Sequence, residues 1–434
     1  MADASQHSIM ARQVTNEVNA PINIVDVICV PVRSGFFVDD QAAILAGAGH
    51  DGFAYVGNPV TPGFTSIRQA GEAVSVMLVM SDGQVAHGDC AAVQYSGVGG
   101  RDQLFNSELA VKDIQTYLTP LLVGRAITTF KEIASLVDNF HIDGHRLHTA
   151  IRYGVTQAVL DAVAKSQSLT MAEVIKNEYS TGVEIAPVPM FTQSGDDRYN
   201  NVDKMIAKEA QVLPHGLINN VETKLGSNGE IFADYLRWVH DRVLSLRSNP
   251  DYNPTLHFDV YGTIGLAFNK DISKIASYLT SLEAIADPFQ LRLEHVIDGG
   301  SRDAQVEYSL GLRNVLKERG SKVQIVVDEW CNSLEDIEVF VSAGAADVIH
   351  VKTPDLGGIN NTIEALLLVL RSGLGAYCGG TCNETDRSAQ VSAHIAMACG
   401  AIQILAKPGM GVDEGMMIVG NEMARVTALV ASRK

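Results

Sequence analysis

The sequence predicts an α/β protein in which an α+β N-terminal capping domain precedes a modified (β/α)8 barrel of the TIM type. Three observations carry that prediction. Beyond about residue 180 short apolar runs alternate with amphipathic stretches, whereas before it strand and helix signals mix without regular order. The chain, 434 residues and 46% hydrophobic, is long enough for one barrel of about 250 residues plus a companion unit. The expected division is a loose tail over residues 1–22, the capping domain over 23–180 and the barrel over 181–434.

In the first half, "EAVSVMLVM" followed by "SDG" and "QVAHGDCAAVQYSG" predicts a hairpin with a Ser-Asp-Gly turn. The run "GVGGRDQ" after it is rich in glycine but lies outside any strand-to-helix phosphate motif, so it predicts a mobile loop and no nucleotide cradle. Helices are expected near Ile151–Lys165 and from Met171, the second opened by a capping box pairing Thr170 with Glu173. Eight strand candidates follow: "APVPMF", "HGLI", "TLHFDVYG", "FQLRLEHV", "KVQIVVDEW", "DVIHVKTP", "LGAYCGG" and "AIQILAKPG". Most are largely apolar runs, as expected of strands covered on both faces. The segments between them carry helical spacing, as at Val202, Met205, Ile206 and Ala210.

Composition narrows the partners. With 50 acidic against 33 basic residues the formal charge is −17, and no stripe of Lys or Arg could neutralise a phosphate backbone, which argues against nucleic acid. An anionic substrate would need local cations, and a bound metal would supply them. The six cysteines are scattered in a chain too long to need disulfide staples, which predicts a reducing cytoplasm and no structural zinc. The longest mainly apolar stretches, Ala73–Met80 and Ala365–Leu370, fall short of a membrane span, and the first 20 residues lack the apolar core of a secretion signal.

In such a barrel the reactive groups lie where strands end at their carboxyl side. Four successive candidates end on ionisable groups: Asp259 in "LHFD", Glu294 in "LRLE", Asp328 in "VVD" and Lys352 in "VIHVK". Taken singly, each acid reads as a helix N-cap or a surface charge. Together, about 35 residues apart, they predict hard oxygen ligands converging at the barrel mouth, with no thiolate or imidazole at matching positions, a set that selects Mg²⁺ or Mn²⁺ over zinc. A divalent ion there would stabilise the dianion formed when a proton leaves the carbon beside a carboxylate. Lys352, its pKa lowered by desolvation and neighbouring cations, would be the base.

The strings "LPHGLINNVE", "FDVYGTIG", "VDEWCN", "VKTPDLGGINN", "GAYCGGTCNET" and "LAKPGMGVDEGMMIV" resemble the methylaspartate ammonia-lyases of the enolase superfamily. The similarity reaches into the first half through "GAGHDGF", "RLHTAIRYG" and "QSGDDRYNNVDKM". The resemblance implies metal ligands at Asp259, Glu294 and Asp328 and a base at Lys352, the residues already singled out. It further implies that His215 is the base on the opposite face of the substrate, that Gln193, Thr381 and Cys382 hold substrate carboxylates, and that Gln94 and Leu405 line the pocket. By themselves, His215 reads as a helix-end histidine and Thr381 and Cys382 as turn residues. The implied reaction is elimination of ammonia from L-threo-3-methylaspartate to give mesaconate, with Mg²⁺ (Mn²⁺ as substitute), a monovalent activator such as K⁺, and a homodimer.

Two positions depart from the family pattern. His350 stands where the family has a glutamine that contacts a substrate carboxylate, and strand alternation places it on the same face as Lys352. His295 replaces a glycine after Glu294, with its side chain expected to point away from the metal. The first departure leaves room for another lyase or racemase of the superfamily acting on a related amino or hydroxy diacid. A Schiff-base aldolase and a non-catalytic barrel are the readings from other classes.

Overall fold

The computed structural model describes residues 21–97 and 100–433. Residues 1–20 of the expected tail, and Val98 and Gly99 of the expected loop, lie outside the described residues. Ile22, at the end of the expected tail, accepts a backbone hydrogen bond from Ile127 (2.8 Å).

The N-terminal region is built on a three-stranded antiparallel sheet, with Arg68–Met80 between Ile24–Asp39 and Val85–Ala91. The predicted hairpin forms, from Ala73 opposite Ala91 to Val79 opposite Val85, and Gly83 takes φ +85° in its turn. Val74, Val76, Leu78 and Met80 are buried at alternate positions, the period-2 pattern of a sheet covered on one face. The cover is helix Thr149–Ser166, in which every residue from Ala150 to Ala164 is buried. It approaches closely because two glycines meet: a Cβ on Gly154 would stand 2.3 Å from the amide nitrogen of Cys90, and one on Gly88 2.4 Å from the carbonyl oxygen of Gly154. Helix Met171–Tyr179 opens with the predicted capping box, Thr170 and Glu173 each accepting from the other's backbone N–H.

Eight parallel strands then close a barrel in chain order: Met190–Phe191, Val212–His215, Thr255–Asp259, Leu291–Glu294, Gln324–Val327, Val348–Val351, Gly375–Cys378 and Gln403–Leu405. Phe191 joins the ends of the ring, pairing with Val212 on one side and Leu405 on the other. Helices follow the strands on the outside, and Phe191, Val212, Val326, Val348, Tyr377 and Leu405 pack together in the interior.

The second strand corrects the sequence expectation. It is Val212–His215, and "HGLI" lies at and beyond its end. His215, Gly216 and Leu217 have φ of 68°, 75° and 50°, so the chain leaves the extended region at His215. Ile218 looked like a strand residue because it is fully buried, yet it sits in the turn that follows, its N–H donating to the Asp259 carbonyl (3.1 Å). His215 therefore stands at a strand end, and not at a helix end. Positive φ recurs after the next three strands at Tyr261 (49°), His295 (53°) and Trp330 (67°). Left-handed non-glycine residues are costly, and their gathering at one mouth of the barrel is typical of a functional rim.

Candidate active site

At that mouth a cavity of about 90 Å³ is lined by Gln193, His215, Asp259, Glu294, Asp328, His350, Lys352, Thr381 and Cys382 from the barrel. The N-terminal region adds Gln94, Tyr95 and Arg101. The structure thus brings ten of the eleven residues singled out in the sequence into one space. Leu405 is the exception: it is buried in the interior cluster with Phe191 and Tyr377 and does not line the cavity. A larger cavity, about 820 Å³, lies alongside between the two regions and shares Val93 and Arg101, but none of the three strand-end carboxylates faces it.

The strand order fixes the geometry. Asp259, Glu294 and Asp328 come from the third, fourth and fifth strand ends, His215 from the second and Lys352 from the sixth. His215 and Lys352 are therefore four strands apart in a ring of eight, across the mouth from each other, with the acids between them.

Glu294 is gripped on both oxygens. His257 Nε2 is 2.9 Å from Oε2 and His350 Nδ1 is 2.7 Å from Oε1. The partners of each ring set its tautomer. Arg292 donates to Gln403 Oε1 (2.5 Å), which turns the Gln403 amide nitrogen toward His257 Nδ1 (3.0 Å) and leaves Nε2–H to face Glu294. The Gly380 N–H donates to His350 Nε2 (3.2 Å), which leaves Nδ1–H for Glu294. Each ring thus presents one N–H to Glu294, an outer shell of the kind that orients carboxylate ligands. Burial alone would raise the Glu294 pKa, but His350 and then His257 hold it well below the usual carboxylate range. Asp259 is raised instead, by burial and by Glu294 beside it, with His215 Nε2 at 3.5 Å from Oδ2 as partial compensation.

His350 corrects the expectation of an imidazole-free set. Glu294, Asp328 and His350 offer ligand atoms all within 4.8 Å of one another. The ring is nevertheless engaged at both nitrogens, by Glu294 at Nδ1 and by the Gly380 N–H at Nε2. Asp328 Oδ1 is buried and makes no hydrogen bond, with His350 Nδ1 3.3 Å away, and so has lone pairs free for a cation. The hard donor set fits Mg²⁺.

Lys352 Nζ donates to Asp328 Oδ2 (2.9 Å). Burial disfavours its ammonium, but Asp328, with Glu329 and Asp355 beyond, outweighs this and holds the pKa above the usual lysine range. The expected depression is absent because the nearest charge to the amine is a carboxylate. Arg101 opposes it, bridging Glu329 (3.2 Å) and Asp355 (3.0 Å) from the glycine-rich run expected to form a mobile loop.

Gln94 and Cys382 form a small hydrogen-bonded chain. Gln94 donates to Asp39 (3.1 Å) and accepts from Cys382 Sγ (3.5 Å), while Arg68 holds Asp39 through two 2.7 Å bonds. Burial pushes the Cys382 thiol up to about 12. It should therefore remain a thiol at pH 8 and react with iodoacetamide more than about a hundredfold slower than free cysteine, because the thiolate is the nucleophile. Mass spectrometry of the peptide containing Cys382 checks this, and rapid labelling would refute it. His295, with φ in the region glycine favours, lies outside the cavity, which accounts for a glycine being suited to that position.

The fold, a closed eight-stranded parallel barrel behind an N-terminal α+β region, is shared with a known class of barrel protein. Muconate lactonizing enzyme from Pseudomonas putida superposes with a TM-score of 0.57 at 19% identity over 86% of this chain and 84% of that one, a likeness of fold alone. The finer grouping comes from sequence. The family models for the methylaspartate ammonia-lyase N-terminus and C-terminus match residues 22–180 and 182–432. Methylaspartate ammonia-lyase of Clostridium tetanomorphum is 58% identical over 95% of this chain and all of its own length. The crystal structure of β-methylaspartase from that organism, a Mg complex, matches with a TM-score of 0.92 over 95% of this chain and 100% of that one. The Citrobacter amalonaticus enzyme containing (2S,3S)-3-methylaspartic acid also matches at 0.92, with 51% identity over 94% of this chain and 100% of that one. The chain belongs to the methylaspartate ammonia-lyase family and is an enzyme.

Proposed function

We propose that this enzyme eliminates ammonia from L-threo-3-methylaspartate to give mesaconate, with Lys352 as the base. The observation that carries the reading is the placement of Lys352 and His215 on opposite sides of a mouth whose intervening strands all end in carboxylates. Asp259, Glu294 and Asp328 would hold Mg²⁺. When bound, the ion supplies positive charge against the substrate carboxylate on which charge builds as the neighbouring proton leaves. Lys352 Nζ takes the proton from the methyl-bearing carbon. The electron pair left there becomes the carbon–carbon double bond as the adjacent C–N bond breaks, and ammonia departs with the bonding pair. Gln193, Thr381 and Cys382 would hold the carboxylates, and Gln94 would bound the space around the substrate. For the amine to act it must first lose its proton, and engagement of Asp328 by a cation removes the main interaction that keeps it.

The same reading carries Mn²⁺ as a substitute ion, K⁺ as an activator, a homodimer and a cytoplasmic setting. Among the described residues no helix is long and apolar enough to cross a membrane. The test is direct: protein, Mg²⁺ and 3-methylaspartate are mixed and the absorbance of an unsaturated diacid is followed. Absence of growth sinks the substrate assignment, and activity on another amino or hydroxy diacid in a panel would favour the related lyase or racemase.

His350 is where that alternative is decided. A glutamine can donate to Glu294 and accept from Gly380 as the neutral ring does, so His350→Gln should keep kcat/KM at pH 8 within about tenfold. A charged ring would behave otherwise: its removal would weaken substrate binding and move the Lys352 limb of the pH profile upward, since protonated lysine becomes easier to keep. Such a shift would overturn the neutral assignment.

A further inference from the structure

Behind the cavity lies an ion pair that solvent does not reach. Lys407 Nζ and Glu384 Oε2 are 2.7 Å apart, with both side chains 0% exposed. Removing two such charges from water is expensive, and a well-packed apolar pair often serves stability as well or better. Their hydrogen bonds supply another reason for the pair. Lys407 Nζ donates to the Gly379 carbonyl (2.8 Å) and to Thr353 Oγ1 (3.0 Å), and Glu384 Oε2 accepts from the Thr381 N–H (3.0 Å). The Gly379–Thr381 turn is thus gripped at both ends, with the Gly380 N–H between them bonded to His350. Position 380 requires glycine: φ is +146°, and a Cβ would lie 2.0 Å from Glu384 Oε2 and 2.4 Å from Lys407 Nζ. Thr353, 3.3 Å from both Glu384 oxygens, directly follows Lys352.

The N-terminal region reaches the same pair. Tyr153 OH, from helix Thr149–Ser166, donates to Glu384 Oε1 (2.5 Å), and the Gly35 N–H donates to the Glu384 carbonyl (2.9 Å). A Cβ on Gly35 would stand 2.3 Å from Pro408 Cβ, so the two regions are in close register there.

We propose that Glu384, Lys407 and Tyr153 are positioning residues for the reaction. The ion pair locks the carboxylate-binding turn and the segment carrying Lys352 into one arrangement, and Tyr153 makes that arrangement depend on the N-terminal region being seated on the barrel. This rests on the proposed function, so the wild-type Mg²⁺ enzyme is measured first: if it neither turns over 3-methylaspartate nor binds mesaconate by calorimetry, that reading fails. With an active wild type, Tyr153→Phe and the charge-neutral double variant Glu384→Gln/Lys407→Met are compared by kcat, KM, mesaconate affinity and melting temperature. The expected result is a fall in kcat/KM of about tenfold for Tyr153→Phe and at least about a hundredfold for the double variant. In the double variant both kcat and mesaconate affinity should drop while the fold is kept. Wild-type kcat/KM in a folded double variant, or losses that vanish when the assay is run well below its melting temperature, would show a merely structural pair. Should the double variant not fold, Tyr153→Phe decides alone: kcat/KM within about twofold of wild type overturns the inference.

Discussion

Glu294→Ala should lower kcat at least about a thousandfold in saturating Mg²⁺, a loss of roughly 4 kcal/mol of transition-state stabilisation. The size follows from what the side chain holds. Its carboxylate is the middle of three, and it is the one that two tautomer-locked imidazoles fix in place. Alanine removes a hard ligand and also strands His257 and His350 without their acceptor, at about 1–3 kcal/mol of stability for each unsatisfied group. Glu294→Gln, which keeps the volume and one acceptor, should stay folded and still lose most activity. Asp259→Ala and Asp328→Ala should act in the same direction. The raised pKa of Asp259 adds a sign: it keeps its proton to higher pH than a free carboxyl, so metal affinity should begin to fall on acidification above the usual carboxylate range. Calorimetric Mg²⁺ titrations between neutral pH and pH 5, with circular dichroism to confirm folding, test both points. Unchanged rates after thorough EDTA dialysis of the wild type would refute the metal requirement.

How legible the site was depends on the range of the interactions that build it. A charge closing an apolar run is a local signal, and Asp259, Glu294, Asp328 and Lys352 carry it within five residues of sequence. His257 carried a signal too, since it sits two residues before Asp259 on the same strand face, but a histidine inside an apolar run gives no hint of the glutamate one strand away. His350 could be placed on the correct face by alternation. Its hydrogen bond to Glu294 could not, because which ring nitrogen faces that acid depends on where the Gly379–Thr381 turn lies. The second strand was shifted because buried apolar residues continue past His215, and nothing local marks the change to positive φ. Arg101 and the Lys407–Glu384 pair were invisible for one reason: their partners lie 228 and 254 residues away for Arg101, and on separate strand-end loops for the pair. The barrel itself needed only periodicity, which is why it was readable.

Lys352→Ala should reduce turnover of L-threo-3-methylaspartate by about 10³–10⁴, the upper range for loss of a positioned base. Lys352 is the one amine among the described residues that line the cavity. His215→Ala should spare most of that activity and depress turnover of the diastereomer whose proton faces the second strand. His215 is suited to such work: its Nε2 faces Asp259 at 3.5 Å, its Nδ1 is buried without a hydrogen-bond partner, and the backbone holds it at a φ of 68°. Strain of that kind persists where the surrounding structure fixes a side chain's direction. The two bases should also separate in isotope exchange. In heavy water, exchange at the methyl-bearing carbon of recovered substrate should be lost with Lys352→Ala for one diastereomer and with His215→Ala for the other. Equal losses on both diastereomers from either substitution would show that one base serves both faces, and the opposed placement on the second and sixth strands would then need another explanation.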